Sequence, residues 1–194
     1  RDTVLSRGLG DLYKRQVNLS VPGKYNVYNA LAALSVCETM GIDLESACKA
    51  LSNFSGVKRR FDIKANKDIM IIDDYAHHPV EVKNVIETVK SNWNKNLNVI
   101  FQPHLFSRTK EFYKDFAKAL MIADNVMITE IFGSREKEDN STTSDLIINE
   151  MLKLNHKNVS YVSSKDIVEE VKSRGVKGDI FLTMGAGNIW RYAE

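Results

Sequence analysis

A short polar segment at residues 73–79 carries most of the side chains that could do chemistry near neutral pH. It reads Asp-Asp-Tyr-Ala-His-His-Pro and directly follows the apolar run at residues 69–72. Imidazoles titrate near neutrality and can move protons, and carboxylates accept hydrogen bonds from hydroxyl groups. An apolar strand that ends in polar residues before a helix marks the carboxyl edge of a parallel sheet, where open α/β folds bind ligands. We therefore take this segment as the centre of a candidate site.

Three further polar segments follow predicted strands in the same way. They are residues 102–109 (Gln-Pro-His-Leu-Phe-Ser-Arg-Thr), 130–136 (Glu-Ile-Phe-Gly-Ser-Arg-Glu) and 184–188 (Met-Gly-Ala-Gly-Asn). In a parallel sheet the carboxyl ends of all strands lie at one edge, so the four segments should meet there. Loops alone would scatter polar residues over both edges, so convergence on one edge indicates a binding face.

A metal centre is one interpretation of the first two segments. The side chains with suitable ligand types for zinc or iron are Asp73, Asp74, His77, His78 and His104. Adjacent histidines on an extended backbone point to opposite sides, so His77 and His78 should not share one ion. We predict no metal site held by this chain alone. We expect His78 to have a structural role, with its ring bonded to backbone, ahead of Pro79 as the first helical residue.

Arginines and glycines offer possible anion contacts. The pair Arg59-Arg60 presents planar guanidinium forks that match phosphate, or it is an ordinary solvated basic pair. Arg108 begins a predicted helix, where a cation is unfavourable to the helix dipole, which suggests an anionic partner such as a carboxylate. The alternative is an exposed arginine. Gly185-Ala186-Gly187 either presents backbone amides to an anion or forms a tight turn with close packing. No Gly-x-x-x-x-Gly-Lys-Ser/Thr phosphate loop occurs in the sequence.

Alternating strands and helices should position these residues. Beyond Phe61, apolar runs alternate with amphipathic segments, which predicts an α/β fold with a mostly parallel, doubly wound sheet. The strand candidates are residues 61–65, 69–73, 98–101, 125–129, 159–162 and 179–183. The helix candidates are residues 79–93, 107–123, 144–154, 165–173 and a short one after Gly187. The polar segment 133–143 is the best candidate for a mobile loop.

The first 60 residues follow another pattern. Residues 16–21 alternate as in a half-buried strand that has no obvious partner. Helices are predicted at residues 26–40 and 44–51, with Asp43 capping the second. We place a boundary near residues 57–61, dividing the chain into 1–58 and 59–194. Cys37 and Cys48 lie in helical patterns and are expected to be buried, reduced thiols.

Bulk properties exclude some classes of function. The net charge is +2 and the apolar fraction is 43%, so nothing indicates a nucleic-acid-binding surface. No apolar run approaches the roughly 18 residues that span a membrane. We expect no membrane partner and a cytoplasmic location. Because the first residue is Arg rather than Met, we expect the sequence to be part of a longer polypeptide.

Taken together, the motifs resemble those of the Mur ligases. The matching segments, in order, are residues 23–33 (Gly-Lys-Tyr-Asn-Val-Tyr-Asn-Ala-Leu-Ala-Ala), Arg59-Arg60-Phe61, residues 73–79, residues 101–104 (Phe-Gln-Pro-His), Ser107-Arg108-Thr109 and Gly185-Ala186-Gly187. The resemblance covers nearly the whole chain, and residues 73–79 together with 101–104 are its most specific part.

The resemblance implies three domains, of which two are represented here. Residues 1–58 look like the end of the central ATPase domain, and residues 59–194 look like the C-terminal Rossmann-like ligase domain. The family reaction uses ATP and Mg²⁺, bound mainly by the central domain, to convert a carboxylate into an acyl phosphate. The branch most resembled then joins L-alanine to UDP-N-acetylmuramate, releasing ADP and phosphate during peptidoglycan synthesis. This chain alone should therefore be inactive.

On the nucleotide side, the resemblance implies four contacts. Asn26 and Asn29 match the asparagines that read adenine, and both can donate and accept hydrogen bonds on one helix face. Ordinary helix-start capping by Asn26 is the alternative. Arg60 matches the arginine that contacts the phosphates and stabilises charge on the transferring phosphoryl group. Asp74 matches the acid that hydrogen-bonds the ribose.

On the amino-acid side, Tyr75, His77 and Arg108 match positions near the incoming amine. By this resemblance Arg108 pairs with the alanine carboxylate, and His77 orients the amine or takes its proton. Leu105 stands where many relatives carry a second basic residue, so recognition should depend more on Arg108 and His104. Gly185 and Gly187 are expected to shape the floor of this subsite.

Other interpretations stay open. Tyr25 stands where a histidine is common, which weakens the match at the adenine edge. The Tyr-Ala-His run at residues 75–77 replaces a lysine of some sister ligases and favours the alanine-adding branch. The nearest rival is the recycling ligase that joins a murein tripeptide to the same sugar nucleotide. A rival of another class is a stand-alone nucleotide- or metal-binding module.

Overall fold

The structure is a computed structural model that describes residues 3–5 and 16–194. The chain divides into two compact units, Arg1–Val57 and Lys58–Glu194. The assignment of the first unit to a central ATPase domain stays a prediction. None of the described helices is both long and apolar enough to cross a membrane.

Within its described residues, the first unit contains two strands and two helices. Strand β1 (Thr3–Leu5) pairs antiparallel with β2 (Gln16–Asn18), and helices α1 (Lys24–Thr39) and α2 (Leu44–Ser52) follow. The expectation that the strand at residues 16–21 lacks a partner is therefore wrong, because β1 provides one. Asp43 caps α2 as predicted, since its side chain accepts a hydrogen bond from the Ser46 amide at 2.8 Å.

Helix α1 buries less than the sequence suggested. Ala30 is its one buried residue among those described, whereas Tyr28, Val36 and Met40 are exposed. Taken over its whole length, the apolar residues of α1 are distributed around the helix rather than along one stripe. The expectation of buried thiols is also wrong, because Cys37 and Cys48 are free but only half-buried.

The second unit is built on a six-stranded sheet. Its strands are β3 (Asp62–Asn66), β4 (Met70–Asp74), β5 (Leu97–Phe101), β6 (Asn125–Ile128), β7 (Val159–Tyr161) and β8 (Ile180–Met184). The spatial order is β3-β4-β8-β5-β6-β7, and all neighbouring pairs are parallel except the antiparallel edge pair β3-β4. This confirms the predicted mostly parallel sheet.

Helices cover both faces of this sheet. They are α3 (Pro79–Asn92), α4 (Phe106–Leu120), α5 (Asp145–Lys153) and α6 (Ile167–Arg174), with 3₁₀ turns at Ser164–Asp166 and Ile189–Tyr192. Val99 and Phe101 of β5 pack in the core cluster shared with α3, α4 and α5. Ile100 of the same strand packs in a second cluster with Ile167 of α6. Alternate residues thus bury on opposite faces, as a doubly wound fold requires.

The last strand lies in the middle of the sheet. β8 pairs with β4 on one side and β5 on the other, so Met184 lies opposite both Asp74 and Phe101. The polar segments that follow β4, β5 and β8 consequently leave the sheet side by side at its carboxyl edge. This arrangement positions the candidate site.

Phe116 of α4 should be a major determinant of stability. Its ring is fully buried and lies 5.1 Å from the ring centroid of Phe101. We expect Phe116→Ala to lower the free energy of unfolding by about 3–5 kcal/mol, because it removes apolar burial and leaves a cavity. Urea denaturation would measure this, with Leu152→Ala on the exposed side of α5 as the control. Equal losses in both variants would contradict the assigned core.

Candidate functional site

Five side chains meet where β4, β5 and β6 end, and we call Tyr75, His77, His104, Arg108 and Phe132 the strand-end cluster. The rings of Tyr75 and His77 meet edge-on at 5.1 Å, and those of His77 and His104 at 5.9 Å. His104 also stacks on Phe132 at 5.8 Å. Arg108 Nη1 lies 3.3 Å from His104 Nδ1. The predicted convergence of residues from separate segments is therefore observed.

The turn after β5 positions His104. His104 and Phe132 form a parallel bridge that extends the pairing of β5 with β6. The Phe132 amide donates to Pro103 O at 2.8 Å, and the Leu105 amide donates to Phe132 O at 3.0 Å. Leu105 has φ 73°, a conformation that is unfavourable for a branched side chain and persists only when the surroundings impose it. Helix α4 begins at the next residue, so Arg108 lies in its first turn.

Burial and the neighbouring guanidinium determine the charge on His104. Partial burial lowers the pKa of His104, and the Arg108 cation lowers it further. A neutral imidazole can accept a hydrogen bond from Arg108 at Nδ1, which fixes the orientation of the guanidinium. In the parts of the chain that the structure describes, no carboxylate forms an ion pair with Arg108. This agrees with the inference of an anionic partner.

Glu136 provides the negative charge that the start of α4 requires. Its Oε2 accepts a hydrogen bond from the Ser107 amide at 3.1 Å, and the Ser107 hydroxyl donates to its other oxygen. These bonds hold the pKa of Glu136 below its usual value. A carboxylate at a helix N-terminus is favourable, so Glu136 offsets part of the cost of an arginine in the first turn. Sequence reasoning missed this contact, which attaches the polar loop 133–143 to α4; the mobility of that loop stays a prediction.

His77 has a defined tautomer. Its Nδ1 lies 2.9 Å from the Tyr75 carbonyl oxygen and 3.4 Å from Glu81 Oε2. A carbonyl oxygen only accepts, so Nδ1 carries a hydrogen, and in a neutral imidazole the lone pair is then on Nε2. Glu81 also accepts from the backbone amides of His77 and His78 at 3.0 and 3.2 Å. Partial burial works to raise the pKa of Glu81, but these amide bonds and His77 hold it below its usual value.

His78 has the structural role expected from sequence. Its Nδ1 accepts from the Val80 amide at 3.4 Å, and its ring packs against Phe112 at 5.3 Å. With Glu81 it forms a capping box ahead of Pro79, the first residue of α3. The sequence signal for this capping box is a Glu three residues after the cap residue, and Glu81 occupies that position. Within residues 3–5 and 16–194, no group of three or more potential ligands is arranged to hold a metal ion.

Asp74 is buried, with 3% of its surface exposed. Its two oxygens accept hydrogen bonds from the amides of Phe61 and Ala76, both at 2.8 Å. Burial raises the pKa of Asp74 to about 6, and these amide bonds only partly oppose the shift. A ribose hydroxyl would have to use the lone pairs that remain. The predicted ribose contact stays a prediction.

Asp73 and Arg59 form an ion pair that sequence reasoning missed. Asp73 is fully buried and accepts from the Thr183 hydroxyl at 2.8 Å and from Arg59 Nε at 3.1 Å. Arg60 is exposed, and its guanidinium lies 5.4 Å from the Tyr75 ring centroid. The basic pair therefore divides into a half-buried structural arginine and an exposed one. The interpretation as an ordinary solvated basic pair therefore fits Arg60 but not Arg59.

The glycine turn after β8 favours the packing interpretation. The Gly185 amide donates to Asp74 O at 3.2 Å, so it is not available to an anion. Gly185 has φ 150°, and a Cβ there would lie 2.7 Å from Gln102 O. A Cβ on Gly187 would overlap the side chains of Gln102 and Phe132. Both positions therefore require glycine, because the backbone there lies too close to neighbouring residues for a side chain to fit.

In the first unit, Asn26 and Asn29 share one face of α1. Asn29 Nδ2 donates to Asn26 Oδ1 at 3.3 Å, and Asn26 Nδ2 donates to Pro22 O at 2.7 Å. The residue before α1 is Gly23, and α1 begins two positions earlier than predicted, so Asn26 is not its N-cap. Their contact with adenine stays a prediction.

Comparison with known proteins decides the family. The model of the "Mur ligase, glutamate ligase domain" family matches residues 59–187. The chain belongs to the Mur ligase family. Among curated Mur ligases, it is 42% identical to the UDP-N-acetylmuramate–L-alanine ligase of Caldanaerobacter subterraneus subsp. tengcongensis, over 91% of this chain and 38% of that protein. The enzyme of the same name from Dictyoglomus turgidum is 40% identical, over 92% and 39%.

Solved Mur ligase structures agree with this placement. The UDP-N-acetylmuramate-alanine ligase of Thermotoga maritima is 34% identical with a TM-score of 0.78, covering 95% of this chain and 39% of that one. The murein peptide ligase of Psychrobacter arcticus is 25% identical with a TM-score of 0.67, covering 92% and 37%. This chain spans about two fifths of the length of the relatives it matches.

The carboxyl group of Asp74 should titrate near pH 6. Because its folded-state pKa exceeds the ordinary value of 3.8, the folded chain binds this proton more tightly than the unfolded chain between about pH 6 and 4. The contribution of Asp74 to stability therefore increases as the pH falls through that window. Carboxyl ¹³C NMR would measure the midpoint. Asp139 is the internal control, because hydrogen bonds from Ser141 and Thr142 lower its pKa to about 2. An Asp74 midpoint near 4 would contradict the burial argument.

Proposed function

We propose that this chain is the C-terminal part of an ATP-dependent, ADP-forming ligase that joins L-alanine to UDP-N-acetylmuramate through an acyl phosphate. The observation that carries the proposal is the strand-end cluster. It combines Arg108, which has no carboxylate partner among the described residues, with His104 and with His77, whose Nδ1 lies against the Tyr75 carbonyl oxygen. The names and identities of the relatives support the choice of substrates.

On the amine side, Arg108 binds the carboxylate of L-alanine. A guanidinium offers two parallel donors to a carboxylate. The contact between Arg108 Nη1 and His104 Nδ1 fixes the orientation of this guanidinium. His77 Nε2 accepts a proton from the alanine ammonium group, which frees the nitrogen lone pair. That lone pair attacks the acyl carbon, the amide bond forms, and the bond to phosphate breaks, while the leaving phosphate takes the second proton lost by the nitrogen. Glu81 stabilises the protonated imidazole because its carboxylate lies 3.4 Å from Nδ1.

On the nucleotide side, Arg60 contacts the phosphates and stabilises charge on the transferring phosphoryl group. Its exposed position and the absence of an ion-pair partner for it among the described residues support this role. Asn26 and Asn29 contact adenine, and Asp74 contacts the ribose. ATP and Mg²⁺ are held mainly by the central domain, to which residues 1–58 belong in this proposal. The UDP-sugar domain completes the enzyme, which works in the cytoplasm.

The recycling ligase that takes a murein tripeptide is the second candidate. Its support is the fold shared with the murein peptide ligase of Psychrobacter arcticus. The alanine-adding enzyme of Thermotoga maritima has both higher identity and higher TM-score, which favours alanine. Purified full-length ligase, supplied with ATP and UDP-N-acetylmuramate, distinguishes the two. ADP release that depends on L-alanine supports the proposal, and release that depends only on the tripeptide contradicts it.

Arg108→Ala should mainly weaken binding of the amino acid. Loss of one charge-assisted contact costs about 1.5–3 kcal/mol, so we expect the KM for L-alanine to rise roughly 10- to 100-fold. The KM for UDP-N-acetylmuramate should stay unchanged in steady-state assays of ADP release. Lys110→Ala, which removes an exposed cation from the same helix, is the matched control. A change confined to the sugar-nucleotide KM would exclude the proposed role of Arg108.

The 194-residue chain should be catalytically inactive without its partner domains. It has no phosphate loop of the Gly-x-x-x-x-Gly-Lys-Ser/Thr type to hold the triphosphate. Incubation of the purified chain with ATP, Mg²⁺, UDP-N-acetylmuramate and L-alanine should release no ADP above the buffer control. Alanine-dependent ADP release by this chain alone would contradict the proposal that the other domains are needed for the reaction.

A further inference from the structure

Arg59 connects two separate segments at the carboxyl edge of the sheet. Its Nε bonds Asp73 at 3.1 Å, its Nη2 donates to Gly185 O at 2.6 Å, and its Nη1 lies 3.5 Å from Gly187 O. The Arg59 side chain is 21% exposed and that of Asp73 is 0% exposed. One guanidinium therefore holds the end of β4 and the glycine turn after β8 together.

The backbone of Arg59 also forms hydrogen bonds to other segments. It has φ 62°, which is unfavourable for a residue with a Cβ unless surrounding contacts impose it. Its carbonyl oxygen accepts from the Tyr75 amide at 2.8 Å, and its own amide lies 3.3 Å from Asp62 Oδ2. The segment before β3 is thus bonded directly to the first residue after β4.

The same guanidinium also contacts an aromatic ring of the strand-end cluster. Arg59 Cζ lies 5.0 Å from the Tyr75 ring centroid, within the range of a cation–π contact. Tyr75 in turn meets His77 edge-on. Arg59 therefore contacts both Tyr75 and the turn at Gly185 and Gly187, which border the amino-acid side of the proposed site.

We infer that Arg59 is a positioning residue for the amino-acid subsite, and that Arg60 alone of the pair is free to contact phosphate. This inference rests on the proposed function. The guanidinium is required because three donors in one plane reach Asp73 and two carbonyl oxygens at the same time. A lysine ammonium is a point charge on a flexible stem and cannot keep this geometry. Without Arg59, the glycine turn and Tyr75 lose their common anchor.

Kinetics of the full-length ligase test this role. Arg59→Met leaves Asp73 buried without a counter-charge and can fail to fold, so the double variant Arg59→Met/Asp73→Asn is the main test. We expect the KM for L-alanine to rise on the order of tenfold or more, because small displacements of a subsite cost that much. The KM for ATP should change by less than about twofold. Lys58→Met removes an adjacent exposed cation and is the control.

NMR completes the test. In the 194-residue chain, the amide signals of Gly185 and Gly187 should shift and broaden in the double variant but not in Lys58→Met. An unchanged alanine KM in a folded double variant, or unchanged glycine signals, would overturn the inference. If the wild-type ligase shows no alanine-dependent ADP release, the proposed function fails, and the NMR comparison still decides the role of Arg59.

Discussion

The candidate site depends on the pairing of β8 with both β4 and β5. This last strand bonds parallel to each of them, so the ends of three strands that are distant in sequence become neighbours. The turn at Gly185 to Gly187 then lies against Gln102, with no room for a side chain at either glycine. Shifting one strand along its neighbour would move these contacts and disperse the site.

Two adjacent buried carboxylates attach the surrounding segments to this sheet. Asp73 is balanced by a cation and a hydroxyl group, whereas Asp74 is held by two backbone amides. Burial raises the pKa of Asp74 to about 6, because its two amide hydrogen bonds only partly oppose the cost of desolvation. Burying acids at this depth is costly without such partners, so the Asp-Asp pair contributes to architecture as well as to any ligand contact.

Local pattern was sufficient to predict most elements, the convergence of polar segments and the role of His78. Each of these follows from short-range periodicity or from capping chemistry. The difference between Arg59 and Arg60 was not predictable, because adjacent arginines look alike until the backbone turns at φ 62°. The pairing of β2 with β1, the incomplete burial of Cys37 and the contact of Glu136 with Ser107 also depend on tertiary structure. Sequence pattern does not encode those contacts locally.

Under the proposed function, the strand-end cluster provides separate side chains for the two ends of a zwitterionic amino acid. Arg108 is positive at one end, and the lowered pKa of His104 keeps a second positive charge away from the same carboxylate. At the other end, His77 presents Nε2 while Glu81 lies behind Nδ1. A protonated amine would be repelled by a charged His77, and a neutral His77 can take its proton. Under the proposed function, one cluster therefore recognises the carboxylate and activates the amine with separate side chains, so the two tasks can be altered independently by mutation.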